Sequence, residues 1–367
     1  MTPEITERFI QCPPPGVKNP GVVSGQDLSG VHPFIIPIFL PHAGCPHRCV
    51  FCNQRIITRS KRNIPSSETI RREINSFLKY KGNRKKFVQI AFYGGNFLGL
   101  EKNDLKRLLQ EAENFVSEGK VDSIRFSTRP DTISDEKLDI LRSYTVSTVE
   151  LGVQSMDEEV LKISKRGHTT LDTDNAAGLL REQNYEIGMQ MMIGLPGDDE
   201  TKALETARLI ADLSPGFVRI YPTVVLADSL LARWYEDGKY TPLSLDTAVT
   251  LAKKLYLLFT ASGIRVVRMG LQASEDFDRG TLILAGPYHP AFGHLVFSEI
   301  FLDMAVSRLE TERAFRDVAL IRVHPRNVSR IRGLKNRNIE ILKKKFNLNT
   351  VQIIPDGGLE EDQLIIG

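Results

Sequence analysis

From Pro33 to about residue 225 the sequence alternates short apolar runs with longer amphipathic stretches, and few folds accommodate that order. PFIIPIFL (33–40), KFVQIAFY (86–93), SIRFS (123–127), STVELGVQ (147–154), EIGMQMMIG (186–194) and FVRIYPTVV (217–225) read as six strands. Between them lie stretches with helical spacing, such as SSETIRREINSFLKYK and NDLKRLLQEAENFVSEG, the first opening on a serine cap. A repeated β–α order implies a parallel sheet covered on both faces, either doubly wound or curled into a barrel. In such folds chemistry gathers at the carboxyl ends of the strands. Those ends here carry PHAGCPHRCVFC, GGN, RPD, QS and GLPG, which together make a coherent rim.

Three of the four cysteines, Cys45, Cys49 and Cys52, fall within eight positions directly after the first strand. Structural zinc, with His42 or His47 as fourth ligand, normally uses two separated knuckles, and no cysteine lies downstream to form the second. A nucleophilic thiol needs one cysteine and a base. Iron–sulfur cubes normally take four cysteines, so three leave one iron open for a substrate or cofactor. Cys12, in the Pro/Gly-rich leader, is expected to be idle.

Composition narrows the setting. A net charge of +3 among 48 basic and 45 acidic residues leaves no global bias toward nucleic acid, so any basic surface must be local. The acidic start MTPEITERFI lacks the pattern of a secretory signal, and no apolar run reaches the roughly 18 residues that span a bilayer. A cytoplasmic location without membrane contact is expected. The expected division is an extended arm over 1–32, a barrel over 33–265, a helical extension over 266–321 and a basic α/β module over 322–367.

The spacing C-x3-C-x2-C on the loop after the first strand, with the β/α order over residues 34 to 225, resembles the radical S-adenosylmethionine (SAM) enzymes. That resemblance implies an α/β fold, a partial (β/α)6 TIM-type barrel. It also implies a 4Fe-4S cluster held by Cys45, Cys49 and Cys52, whose open iron takes the amino and carboxylate groups of SAM. Reductive cleavage to a 5′-deoxyadenosyl radical follows, with an external one-electron reductant of the flavodoxin or ferredoxin type. Phe51 matches an aromatic the family places beside its last cysteine, where a ring would shield the site or simply pack in the core.

Other SAM contacts are implied segment by segment. Gly94 and Gly95, followed by Asn96 in place of the commoner acid, match the Gly-Gly segment whose carbonyls receive the SAM ammonium. ELGVQSMDEEVLKISKRGH (150–168) resembles oxygen-independent coproporphyrinogen III oxidase and the Elongator catalytic subunit. There Gln154 would bond the ribose and Arg166 the methionine carboxylate, a task suited to a guanidinium fork. Gln190 would replace a ribose-binding acid, Gly194, Leu195 and Pro196 would wall the adenine, and Ser127 stands where the oxidase has a carboxylate.

RPD, GLPG and VRIYPTVVL point to an Elongator-like branch, although the chain ends about where that enzyme's acetyltransferase would begin. In its place, nine basic residues and one acid lie between Arg322 and Lys345. RIRGLKNRN sits between two expected helices and loosely resembles the glycine loop of KH-type RNA modules. Arg330, Arg332, Lys335 and Arg337 are therefore expected RNA contacts, with tRNA the expected substrate and a second basic stretch, 57–63, near the mouth. A small-molecule or tetrapyrrole substrate is the alternative, and a non-enzymatic metal-binding protein is the third.

Overall fold

The computed structural model describes residues 33–40, 43–53, 64–81, 87–272, 282–312 and 317–367. The N-terminal arm with Cys12, His42 and the basic stretch 57–63 lie outside the described residues. Seven parallel strands form one sheet in sequence order: β1 (Phe34–Phe39), β2 (Val88–Tyr93), β3 (Ser123–Thr128), β4 (Val146–Gln154), β5 (Glu186–Ile193), β6 (Phe217–Pro222) and then β8 (Arg265–Met269). The short strand β7 (Val225–Leu226) pairs antiparallel with β9 (Ile283–Ala285) outside it. This is the expected partial barrel with one strand more. RVVRM has an arginine near each end and lies at the sheet edge, and it crosses the boundary expected at residue 265.

The strands read as buried runs because one side is wholly apolar. Ile36, Ile38, Ile90, Phe92, Ile124, Phe126, Val149, Leu151, Met189, Met191, Val218 and Ile220 are buried to within 1%. They pack beneath the helices Ser67–Lys81, Lys102–Ser117, Thr170–Glu182, Glu200–Asp212 and Leu245–Ala261. Of the expected core methionines Met189, Met191 and Met192, the first two belong to that core, whereas Met192, on the other face of β5, is half-buried. Pro37 sits in β1, which among the described residues pairs only with β2 and so can do without one ladder donor.

Helix caps follow the chemistry expected of them. Ser134, Asp157, Asp199, Ser229 and Ser244 each accept a backbone N–H at a helix start, and Thr169 with Asp172 forms a capping box. The rim residues are thereby fixed at the strand-to-helix turns.

Helix Phe292–Glu312 joins the two parts of the molecule. Phe292 and Val296 lie in the barrel core, whereas Phe301, Leu302, Ala305 and Leu309 lie in a second core. That second core belongs to a three-stranded sheet ordered β11 (Thr350–Pro355), β10 (Val318–Val323), β12 (Leu364–Ile366), with β10 parallel to β11 and antiparallel to β12. Two helices, Val328–Arg332 and Arg337–Phe346, connect β10 to β11. Residue 322 lies within β10, and the long helix of the expected extension contributes to both cores.

Candidate active site

The cysteine loop is held at both ends by hydrogen bonds to the rim. At its start, Asn96 N–H donates to Ala43 O at 2.8 Å, and Asn96 Nδ2 donates to Gly44 O at 2.9 Å. At its end, Val50 N–H donates to Ser164 O at 3.1 Å, Val50 O accepts from Leu231 N–H at 2.8 Å, and Asn53 Nδ2 donates to Ala227 O at 2.7 Å. Cys45, Cys49 and Cys52 are half-buried, and none is in a disulfide.

The charges around them are cationic. Arg166 Nη1 donates to Cys49 Sγ at 3.1 Å, and its Nη2 donates to Gly152 O at 2.5 Å. Burial pushes the Cys45 thiol up, as does neighbouring Cys49, while the guanidiniums of Arg129 and Arg166 act in the opposite sense. Arg129 makes a bidentate pair with Asp131, both bonds 2.9 Å, so the RPD segment builds one wall of the mouth. His168, buried beside Arg166 and Arg129, is held neutral: burial first and then those two cations lower it to about 3. The ring of His47 packs on Gly167, whose positive φ of 73° brings the turn after Arg166 against the loop.

A thiolate-held cluster with SAM on its open iron fits these residues. Cationic side chains face the thiols. Gln154, in a left-handed conformation (φ 69°), leaves Oε1 buried without a partner, and Arg166 leaves Nε likewise. A buried amide and guanidinium left in that state cost free energy that a polar ligand would recover. Among the described residues no group of three or more His, Cys, Asp or Glu is already arranged to hold a metal ion.

Other expected contacts have different places. The Asn96 side chain is fully buried, and its Oδ1 accepts from Thr128 Oγ1 (2.7 Å), Arg129 N–H (3.0 Å) and Thr132 Oγ1 (2.9 Å). The Asn96 side chain is thus a bracket that ties the cysteine loop to β3. Gly95 is needed for the same fit, because a Cβ there would stand 2.5 Å from Ala43 O and 2.6 Å from Leu40 O. Gly95→Ala is therefore expected to push the loop away, at about 1–3 kcal/mol. A lower melting temperature with fewer irons per chain after reconstitution would show it. Gly94 has room around it and a φ of 87°, so its backbone is the more open of the pair.

Phe51, half-buried, packs against a small apolar cluster of Val50, Val225, Leu231, Ala232 and Tyr240. Gly194, Leu195 and Pro196 line a cavity of about 420 Å³ with Ile163, Trp234 and Tyr240. The turn there is closed by Gly194 N–H to Asp198 (2.9 Å) and Tyr240 Oη–H to Gly194 O (2.6 Å). His289 accepts from Ala291 N–H at the start of the long helix, and His294 lies against Ser298, so both serve that helix.

Below the rim, sequence reasoning missed a polar layer inside the barrel. Glu150, with no exposed surface, accepts from Arg125 Nη2 (2.5 Å), Arg219 Nε (2.7 Å), Tyr93 Oη (2.8 Å) and Gln190 Nε2 (3.0 Å). Burial alone would raise its carboxyl, but Arg219 and Arg125 outweigh burial and hold it at about 2. Gln190 thus points one amide N–H at Glu150, and Ser127 stands 3.5 Å from the same nitrogen. The signal was available in the strands themselves: Gln89-Ala91-Tyr93, Ser123-Arg125-Ser127, Thr148-Glu150-Gly152 and Phe217-Arg219-Tyr221 alternate with the apolar set.

Partial barrel, cysteine loop and glycine rim together define an enzyme fold whose candidate site lies at the carboxyl ends of its strands. The chain belongs to the radical SAM superfamily: that family's model matches residues 39–210, and the radical SAM C-terminal domain matches 215–301. It is 27% identical over 249 residues to a tRNA uridine(34) acetyltransferase of Dehalococcoides mccartyi, covering 59% of this chain and 54% of that one. It is 30% identical over 230 residues to an uncharacterised protein of Methanocaldococcus jannaschii, covering 59% and 69%. The chain therefore spans about half the length of the acetyltransferase it matches. The fold is also that of Elp3 of Methanocaldococcus infernus lacking its first 46 residues, with a TM-score of 0.58 at 21% identity over 74% of this chain and 63% of that one. Among the described residues no helix is long and apolar enough to cross a membrane.

Proposed function

We propose that this radical SAM enzyme modifies RNA, most specifically tRNA, and that its C-terminal module grips the RNA beside the barrel mouth. The observation that carries this reading is the position of the basic loop. Gly333-Leu334-Lys335-Asn336 links the two module helices, and Arg337, the first residue of the second, lies 3.5 Å from Asp246 at the start of helix Leu245–Ala261. In a β/α barrel that helix start belongs to the rim that holds the cysteine loop. Arg332, Lys335 and Arg337 are exposed, and a run of exposed cations beside a reaction mouth suits phosphates. Three acetyltransferases named for tRNA uridine 34 among the relatives point the same way.

Arg330, the fourth of the expected RNA contacts, has partners within the protein. Its guanidinium lies 4.1 Å from the Phe297 ring centroid, and its Nη1 donates to Asn327 Oδ1 at 2.8 Å. It docks the module on the long helix.

Within the site, Cys45, Cys49 and Cys52 would hold the cluster, and Gln154, Arg166 and the Gly94 backbone would receive SAM. The cluster, charged by a flavodoxin- or ferredoxin-type reductant, would supply the electron for SAM cleavage. The chain's own part is to orient the ligand, exclude water and keep His168 neutral beside it.

Charge reversal at Arg332, Lys335 and Arg337 together should weaken tRNA binding at least tenfold and lower the salt slope by about two. Fluorescence anisotropy across a salt series reads this directly. SAM cleavage assayed anaerobically with and without bulk tRNA completes the test. Cleavage that depends on the cysteines but ignores both tRNA and the reversed loop would instead favour a small-molecule substrate.

A further inference from the structure

Among the described residues, the layer around Glu150 carries more positive charge than one carboxylate can balance. It runs across the sheet as a row. Tyr93, Ser127 and Glu150 stand at one level in β2, β3 and β4, and Gln190, Arg219 and Arg268 stand at one level in β5, β6 and β8. The Gln190–Glu150 hydrogen bond joins the two halves. Arg219 and Arg268 are register partners on neighbouring strands, an arrangement of like charges that disfavours pairing unless a counter-charge is supplied. Glu150 is already shared between Arg125 and Arg219. Arg268 donates to Gly270 O at 3.3 Å and has no ion pair among the described residues. Arg125, 4% exposed, leaves Nε buried without a partner.

Part of the row keeps exposed surface. Glu150 has no exposed surface, whereas Tyr93, Ser127, Gln190, Arg219 and Tyr221 above and beside it are half-buried. These side chains lie on the face of the sheet opposite the apolar core, two to four residues below Gly152 and Gln154 on β4. A group entering past the SAM contacts would meet them next. Tyr221 lies close to both Arg219 and Arg268.

We propose that Arg219 and Arg268, with the Tyr221 hydroxyl, form an oxyanion subsite in the barrel lumen that receives one carboxylate or phosphate of the substrate. Arg219, oriented by its two bonds to Glu150, presents its remaining donors, and Arg268 supplies the second charge. The same chemistry would serve a phosphate flanking a nucleotide turned into the barrel or the carboxylate of a small acid. This rests on the barrel being the reaction chamber, yet its test needs neither SAM cleavage nor RNA.

The holoprotein would be titrated by calorimetry at fixed ionic strength with malonate, inorganic phosphate or uridine 5′-monophosphate, with chloride as the control. One saturable site is expected, together with a rise in melting temperature that chloride does not produce. Arg268→Gln should weaken it at least tenfold and Tyr221→Phe about threefold, with the cluster spectrum unchanged. Neither substitution touches Glu150. Arg265→Gln, which removes the ion pair with Glu186 at the other end of β8, should leave it unchanged. Preference for malonate would assign a small-acid substrate, and preference for the nucleotide a phosphate. An affinity equal in wild type and Arg268→Gln, or no saturable site for any of the three, would overturn the proposal. Failure of tRNA to bind or to stimulate cleavage would leave the subsite standing.

Discussion

Cys49→Ala is expected to leave a folded protein that binds neither a full cluster nor SAM productively. The loop is half-buried and fixed through Asn96, Val50 and Asn53, none of which is altered, so the stability change should stay within about 1 kcal/mol. The effect on chemistry is of another size. Three thiolates already leave one iron of a cube without a protein ligand, and two cannot retain it. Iron and acid-labile sulfide should fall well below one cluster per chain, and 5′-deoxyadenosine should drop about 10³-fold or more. Cys45→Ala and Cys52→Ala should behave alike, while Cys12→Ala should match the wild type. Cys49 also accepts from Arg166, so its loss frees a guanidinium that is 6% exposed. Retention of the cluster spectrum and of cleavage in Cys49→Ala would sink the assignment of this loop.

The parts legible in the sequence are those whose partners lie close in the chain or whose residue type permits little else. Three cysteines in eight positions and Gly94-Gly95 are of this kind, and the structure puts both on one rim. The β/α order was equally plain, because each outward strand face is an unbroken apolar row. What could not be read depends on register. Glu150 and Arg219 are 69 residues apart in sequence and meet only because β4, β5 and β6 are aligned as they are. The alternation of polar residues in these strands announced a lined interior, but not which charges would face each other. Arg330 shows the same limit in a basic run. Nothing in RIRGLKNRN separates the arginine that stacks on Phe297 from those that remain in solvent.

The two levels act together. Asn96 ties the cysteine loop to the end of β3, Thr128 and Arg129 take part in that tie, and Arg125 and Ser127 on the same strand line the lumen. A displacement of β3 would therefore disturb the loop and the interior row at once. This couples cofactor geometry to the packing of the chamber beneath it, which is what a reaction that must exclude water requires.

Glu150→Ala should be the most damaging single substitution to the fold. It removes the acceptor for four side chains and leaves Arg125 and Arg219 facing each other with no carboxylate between them. Breaking a buried pair from one side costs about 3–5 kcal/mol, because the stranded charge keeps its desolvation penalty. At roughly 2–4 °C per kcal/mol for a domain of this size, the melting temperature should fall by about 10 °C. Glu150→Gln keeps the shape and part of the hydrogen bonding, so its loss should be smaller. Acid provides an independent reading. The carboxyl is held at about 2 in the folded protein against 4.5 for the free side chain, so the unfolded chain takes up the proton first. The stabilisation from Glu150 is thus complete above about pH 4.5 and is lost as the pH falls from there toward 2. Urea melts of wild type and Glu150→Gln should differ most at neutral pH and converge across that window. A gap between them that stays constant down to pH 2 would mean that Glu150 contributes through shape rather than charge.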